Sequence, residues 1–248
     1  MNKVLALAAA ESKLVMRNRT VAISSFVLPV ALGAFWAWSF GGETGSPLMA
    51  ALVVALQIAV VLGMGVYVTA TQTIVARRHN RVLKRLRTSG LSDAGLLAAI
   101  VIPTILIGAV QLAIFAVVNV VTGTPAPADP LALVLAVLAG LALVVTAALA
   151  TSVVTPSPER AQITTLPLVF VLLGAAIAVV FVPIQSWWQA LAAVPGAGIG
   201  QLMRIAFGGA AGDAAAVSPL LAATAGLLVW SGVFAWLAMR SFRWDPRT

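Results

Sequence analysis

The sequence contains no cysteine, a single histidine and few charged residues of either sign. Without cysteine the chain has no disulfides, no thiolate metal sites and no cysteine nucleophile. The single histidine, His79, excludes a metal site that needs two. Charged residues make up 9% of the 248 residues and hydrophobic residues 61%, whereas an ordinary soluble domain is about 25% charged. A soluble fold of this length could not bury so much apolar surface, so the sequence predicts an integral membrane protein.

The motifs of common enzymes are also missing. A nucleotide-binding loop needs a glycine-rich turn followed by lysine, and no lysine of this chain follows a glycine. The serine-hydrolase pattern G-x-S-x-G is absent, and no predicted span holds a carboxylate. We therefore expect no catalytic residues, no metal and no cofactor in the chain itself.

Long uncharged stretches separate the seven acidic residues, and each can hold a membrane span of about 20 apolar residues. Backbone polar groups find no partners in lipid, so the spans are expected to be helices. Six spans are predicted: Thr20–Phe40, Leu48–Ala76, Ala94–Thr122, Leu131–Val154, Ile163–Val182 and Val217–Met239. The stretch after the fifth span could hold a seventh, but Pro195 and the glycines near it weaken a lipid-facing helix there.

The basic residues favour six spans over seven. With six spans and both termini in the cytoplasm, 14 of the 15 basic residues lie on the cytoplasmic side, and only Arg204 does not. We therefore expect residues 184–207 to enter the outer leaflet and turn back, with Trp187 and Trp188 at the interface. The net charge of +8 is then a signal of topology, and no nucleic-acid partner is expected.

Two cytoplasmic segments stand out. Residues 1–19 combine an apolar stripe with charges that include Glu11 and Arg17, which predicts an interfacial helix; a frayed leader is the alternative. Residues 77–92, RRHNRVLKRLRTSGLS, predict a short amphipathic helix with basic and apolar sides. That helix could rest on anionic lipid or dock a soluble partner. Glu159 and Arg160 are either a second, smaller partner contact or an exposed solvated pair.

No predicted span contains Asp, Glu, Lys, Arg or His, which disfavours proton- or sodium-coupled transport and requires an outside energy source for any transport. The spacing by sevens of Gln57, Met64 and Thr71 predicts one shared stripe on span two. Candidates for a substrate path are Gln57, Met64, Thr71, Gln72, Gln111 and Asn119. Buried amides in lipid commonly pair between helices, so helix packing is the alternative role.

The whole chain resembles the membrane permease of type-2 ABC exporters, which move drugs, polysaccharides or lipids and often have a separate ATPase chain. The likeness rests on the amphipathic N-terminal segment, the loop pattern and the basic helix after span two. Part of the basic segment approximately fits a family pattern close to L-x-x-L-R-x-[ST]-P-L-S: Leu83, Leu86, Arg87, Ser89, Leu91 and Ser92.

The resemblance implies one all-α transmembrane permease domain over residues 1–248, in the plasma (inner) membrane of a bacterium. It implies two ABC ATPase subunits that bind ATP and Mg²⁺, a second permease chain, identical or paralogous, and surrounding lipid. The substrate would be hydrophobic, drug-like, a lipid or a polysaccharide, and would leave the cytoplasm. The implied ATPase-coupling residues are Arg78, Arg81, Leu83, Lys84, Leu86, Arg87, Ser89 and Leu91. The alternative class is a non-transporting membrane scaffold or assembly protein with a lipid- or protein-binding loop.

Overall fold

The computed structural model describes residues 7, 9–10, 23–41, 46–82, 92–181, 194–208 and 217–241. Every regular element within these ranges is a helix. Several predicted features lie outside them: Glu11, Arg17, residues 83–91 with Leu83, Lys84, Leu86, Arg87, Ser89 and Leu91, and the pair Trp187 and Trp188.

The chain begins its described part with a π-helical segment, π1 (Ile23–Val27), which runs into α1 (Leu28–Gly41). A second π-helical segment, π2 (Val61–Val68), joins α2 (Pro47–Val60) to α3 (Thr69–His79), so that Pro47–His79 is one continuous helix. The remaining helices are α4 (Asp93–Val121), α5 (Pro130–Val154), α6 (Pro158–Phe181), α7 (Ala197–Gly208) and α8 (Val217–Ser241).

Local sequence explains where several helices begin. The Ser92 hydroxyl accepts a hydrogen bond from the Gly95 amide at 3.1 Å and caps α4. The Asp129 carboxylate accepts from the first amides of α5 and caps that helix. Such caps satisfy amides that have no partner within the helix. Pro47 and Pro130 occupy first-turn positions, where the missing N–H is not needed.

Five helices are long and apolar enough to cross a membrane: Pro47–His79, Asp93–Val121, Pro130–Val154, Pro158–Phe181 and Pro219–Ser241. The helix Ser25–Phe40 is apolar but shorter. These helices confirm a multi-pass, all-helical membrane protein in the described part of the chain. Each of the six predicted spans overlaps one of these helices, whereas the exact count of spans and their sidedness stay predictions.

The continuous helix Pro47–His79 forms the centre of the bundle. Its most apolar window is 89% buried within the protein, against 17% for the window in α8. At 1.5 Å per residue, its 33 residues would extend about 50 Å, which exceeds the hydrocarbon thickness of about 30 Å. This helix therefore tilts or projects beyond the lipid core.

The short helix α7 is enclosed by α2, α5, α6 and α8. Ten of its twelve residues are buried. A Cβ at Gly198 would lie 2.5 Å from the Ala223 carbonyl, and one at Gly200 would overlap the Ala176 carbonyl. The glycines that weaken a lipid-facing helix thus allow this one to pack backbone against backbone. At about 18 Å, α7 is too short to span a bilayer.

Candidate functional site: a cavity at the basic end of the bundle

A cavity of about 340 Å³ lies between π1, the central helix and the first half of α6. The cavity lies near the end of α3, which carries Arg78, and near the start of α6, which carries Arg160. We call this end of the bundle the basic end. Five residues of the lining are uncharged and polar: Ser25, Thr69, Gln72, Gln162 and Thr165. The other five are apolar: Met64, Val68, Ile163, Leu166 and Val169.

The chemistry of the cavity is that of an amphipathic, uncharged site. None of the described residues that line it is ionisable, and its volume is within the usual range of about 300–1,000 Å³ for small-molecule sites. Ile163 is 71% exposed, so the cavity is open on its α6 side. Pro167, in the first half of α6, has no N–H to donate to the Ile163 carbonyl four residues before it.

The six candidate path residues divide between the cavity and the helix contacts. Met64 and Gln72 line the cavity. Thr71 is fully buried, and its hydroxyl donates to the Tyr67 carbonyl at 2.8 Å. The amides of Gln57, Asn119 and Gln111 bond other helices, as described below.

The predicted stripe through Gln57, Met64 and Thr71 is broken by π2. In a π-helix the hydrogen bonds run from residue i to i+5, which adds one residue to each turn compared with an α-helix. The eight residues of π2 therefore rotate the face of α3 relative to α2. The residues of span two that meet the cavity are Met64, Val68, Thr69 and Gln72.

The sequence alone does not indicate that Ser25 of span one, or Gln162 and Thr165 of α6, line the cavity. Gln162 and Thr165 are three residues apart and share a face of α6, which is a detectable polar pattern. Their pairing with span two depends on tertiary packing, so no local signal could identify it.

Arg78 is buried at the basic end rather than exposed. It is 2% exposed, and its guanidinium donates to the carbonyl of Thr155, the residue that caps the C-terminus of α5. A cation at this position complements the partial negative charge of the helix end. The side chain thereby ties the end of α3 to the end of α5.

The chain turns directly after α3. Asn80 ends the helix, and Arg81 has a φ of 57°, a left-handed conformation that is uncommon for residues other than glycine. Residues 77–79 therefore belong to α3, and a helix separate from span two begins no earlier than Val82. Arg81 itself is exposed.

Glu159 and Arg160 lie at the start of α6 and are both exposed. A hydrogen bond with the Ser157 side chain is the main reason why the pKa of the Glu159 carboxyl lies below its usual value, and attraction to His79 contributes. Arg78 donates to the carbonyl of Thr155 in the loop before α6, so the end of α3 lies next to this loop.

Comparison with known families agrees with this architecture. The model of a family described as "ABC-2 family transporter protein" matches residues 39–240. No curated protein and no solved structure is a significant match to the chain.

Proposed function

The chain belongs to the ABC-2 transporter family and is a transmembrane permease, and from that premise we propose that it is the membrane subunit of an ATP-driven exporter. The observation that carries the proposal is the uncharged cavity at the basic end. A path without ionisable groups offers no side chain that could carry a coupled proton, which disfavours coupling to a proton gradient through that path. ATP hydrolysis in a separate subunit supplies the energy.

The cavity is the proposed entrance of the substrate. Its lining combines the apolar residues Val68, Leu166 and Val169 with the amide residues Gln72 and Gln162, so the site favours a molecule with an apolar body and a few polar groups. A hydrophobic, drug-like or lipid substrate fits this lining better than a polysaccharide with hydroxyls on all sides. The exposed side at Ile163 is where a second permease chain, identical or paralogous, would complete the path.

Two ATPase subunits with bound ATP and Mg²⁺ are the proposed cytoplasmic partners. Their docking site is the segment 77–92, in which Arg81 is exposed, and Glu159 and Arg160 form a second contact. Movement of the ATPases would reach the cavity through α3, whose last turn is tied to α5 by Arg78. The interfacial N-terminal segment would frame the docking site, and both termini would be cytoplasmic.

The partner proposal is tested by purification in mild detergent. The tagged permease should retain a protein with a Walker A motif, identified by mass spectrometry, and the pair should hydrolyse ATP. The permease alone should hydrolyse none, since it lacks a phosphate-binding loop. Hydrolysis by the contaminant-free permease, or retention of no ATPase at all, would contradict the proposal and favour the scaffold alternative.

The path proposal is tested on the same complex. Gln72→Leu and Gln162→Leu remove the amides of the cavity, and we expect them to weaken stimulation of ATP hydrolysis by amphipathic amines or lipids. Loss of a hydrogen bond to a bound ligand of this kind is worth about 0.5–1.5 kcal/mol, or roughly a few-fold to tenfold in the half-maximal concentration. Thr73→Val is the matched control, because Thr73 lies next to Gln72 but donates to the Thr69 carbonyl. Equal responses in all three variants would reject this cavity as the path.

A further inference from the structure

The junction of π1 and α1 depends on a side chain from another helix. Pro29 has no N–H, so it cannot make the α-helical hydrogen bond to the Ser25 carbonyl four residues earlier. The Nε2 group of Gln111 in α4 donates to that carbonyl at 2.7 Å and also lies 3.3 Å from the Phe26 carbonyl. Backbone carbonyls at membrane depth need a donor, and here α4 supplies it to span one.

The other end of the same amide faces π2. Gln111 is fully buried, and its Oε1 lies so close to Gly65 that a Cβ at residue 65 would overlap it. Among the described residues this oxygen has no hydrogen-bond partner. One amide therefore fills the gap between the two π-helical segments, and a glycine at position 65 leaves the room for it.

On the C-terminal side of Pro29, span one contacts its neighbours through Gly33. The Gly33 carbonyl accepts a hydrogen bond from Gln57 at 3.2 Å, and a Cβ at Gly33 would overlap the ring of Phe115. The chain at Gly33 is thus packed tightly against two helices. At Ser25, which lines the cavity, the contact from α4 is a hydrogen bond shared between two carbonyls.

We propose that Pro29 and π1 form a hinge in span one, and that Gln111 is the positioning residue that latches it at the cavity wall. The Gln111 amide can pass from the Ser25 carbonyl to the Phe26 carbonyl, which is the one-residue change of register that separates π-helical from α-helical winding. Because Ser25 lines the cavity, this change alters the width of the cavity while the chain at Gly33 stays fixed. The inference extends the proposed function from the location of the path to its movement.

Hydrogen–deuterium exchange on the intact permease in lipid nanodiscs tests the latch. Gln111→Leu removes the donor, so amides of residues 23–30 should exchange about two- to tenfold faster, which corresponds to the loss of one net hydrogen bond. Pro29→Ala restores an N–H that can bond the Ser25 carbonyl and should slow exchange there. The double variant should return toward the unaltered protein. Gly65→Ala, which displaces the amide sterically, should resemble Gln111→Leu.

Gln57→Leu is the matched control, since it removes another buried glutamine from a neighbouring helix. It should speed exchange around Gly33 and Asn119 and leave residues 23–30 unchanged. The hinge is rejected if Gln111→Leu leaves exchange at residues 23–30 unchanged. It is also rejected if adding Pro29→Ala does not reverse the faster exchange of Gln111→Leu. These exchange measurements use the permease alone. A negative result would therefore count against the hinge and not against the proposed ATPase partner or transport.

A second readout separates a hinge from simple destabilisation. The chain has no cysteine, so Gln72→Cys provides a single reporter in the cavity for a water-soluble maleimide. We expect Gln111→Leu to raise the labelling rate of this reporter and Pro29→Ala to lower it. Loss of packing in general would only raise the rate. An unchanged or increased rate in Pro29→Ala would overturn the proposal.

Discussion

Gln57 and Asn119 exchange two amide hydrogen bonds, one of 2.9 Å and one of 2.8 Å, across the contact between the central helix and α4. Gln57 also donates to the Gly33 carbonyl of α1, so the pair joins the first three spans. Gln57 is 1% exposed. These amides are therefore engaged in helix packing, which is the role that polar groups commonly have between membrane helices.

The amide pair should give a measurable coupling energy. Gln57→Leu and Asn119→Leu should each destabilise the bundle, and the double variant should cost less than the sum, with a coupling of about 0.6–1.7 kcal/mol. The measurement is a double-mutant cycle of unfolding in mixed detergent micelles. Gln57→Leu combined with Gln162→Leu is the control, because Gln162 lies on α6 in the cavity and should add independently. Additivity of the Gln57 and Asn119 changes would contradict the pairing.

The enclosed helix α7 should be sensitive to a single methyl group. A Cβ at Gly200 would overlap the Ala176 carbonyl, so Gly200→Ala should destabilise the protein by about 1–3 kcal/mol through overpacking. Gly174→Ala is the control in the adjacent α6, where a Cβ would meet no atom within 4 Å. That change should stabilise by about 0.5–1 kcal/mol because alanine is the better helix former. The two midpoints of thermal unfolding should move in opposite directions, and a shared direction would refute this packing.

The positions of the long apolar helices could be predicted from composition, because long uncharged stretches have one favourable state in lipid. The helix faces could not. The spacing of seven residues places Gln57 and Thr71 on one face only if the whole span is an α-helix. The sequence VLGMGVYV contains no pattern that predicts a π-helix. The contact between span one and α4 could not be predicted either. Pro29 can be read from the sequence, but the Gln111 side chain that donates to the Ser25 carbonyl is 86 residues away from Ser25. Such partnerships are decided by tertiary packing.

Topology is a separate prediction that introduced cysteines can test. Both termini and residues 77–92 should be cytoplasmic, because 14 of the 15 basic residues then lie inside. Gly45→Cys, Pro127→Cys and Gly212→Cys should react with an impermeant maleimide added to intact cells. Asn80→Cys should react only after the membrane is opened. Reaction of the Asn80→Cys variant in intact cells would overturn the orientation.

Docking of an ATPase and contact with lipid are two interpretations of segment 77–92 that predict different effects of the same substitutions. If it docks an ATPase, Leu83 and Leu86 should fill apolar pockets on that partner. Truncating an anchor of this kind costs about 2 kcal/mol or more, and a loss of about 1.4 kcal/mol is already tenfold in affinity. Leu83→Ala with Leu86→Ala should therefore release the ATPase and abolish transport while the permease remains inserted and folded. The measurement is ATPase retention on the tagged permease.

The lipid interpretation predicts a different pattern for the same segment. If the helix only rests on anionic lipid, its basic residues act through their summed charge, and moderate salt should mimic their loss. Neutralising Arg81 and Lys84 would then perturb insertion or orientation, whereas the double leucine change would leave any partner bound. Retention is therefore compared at two salt concentrations for both pairs of substitutions. Apolar anchoring is largely insensitive to screening, so release by the leucine change at both concentrations supports docking. Unchanged retention at both would reject the docking role of this segment.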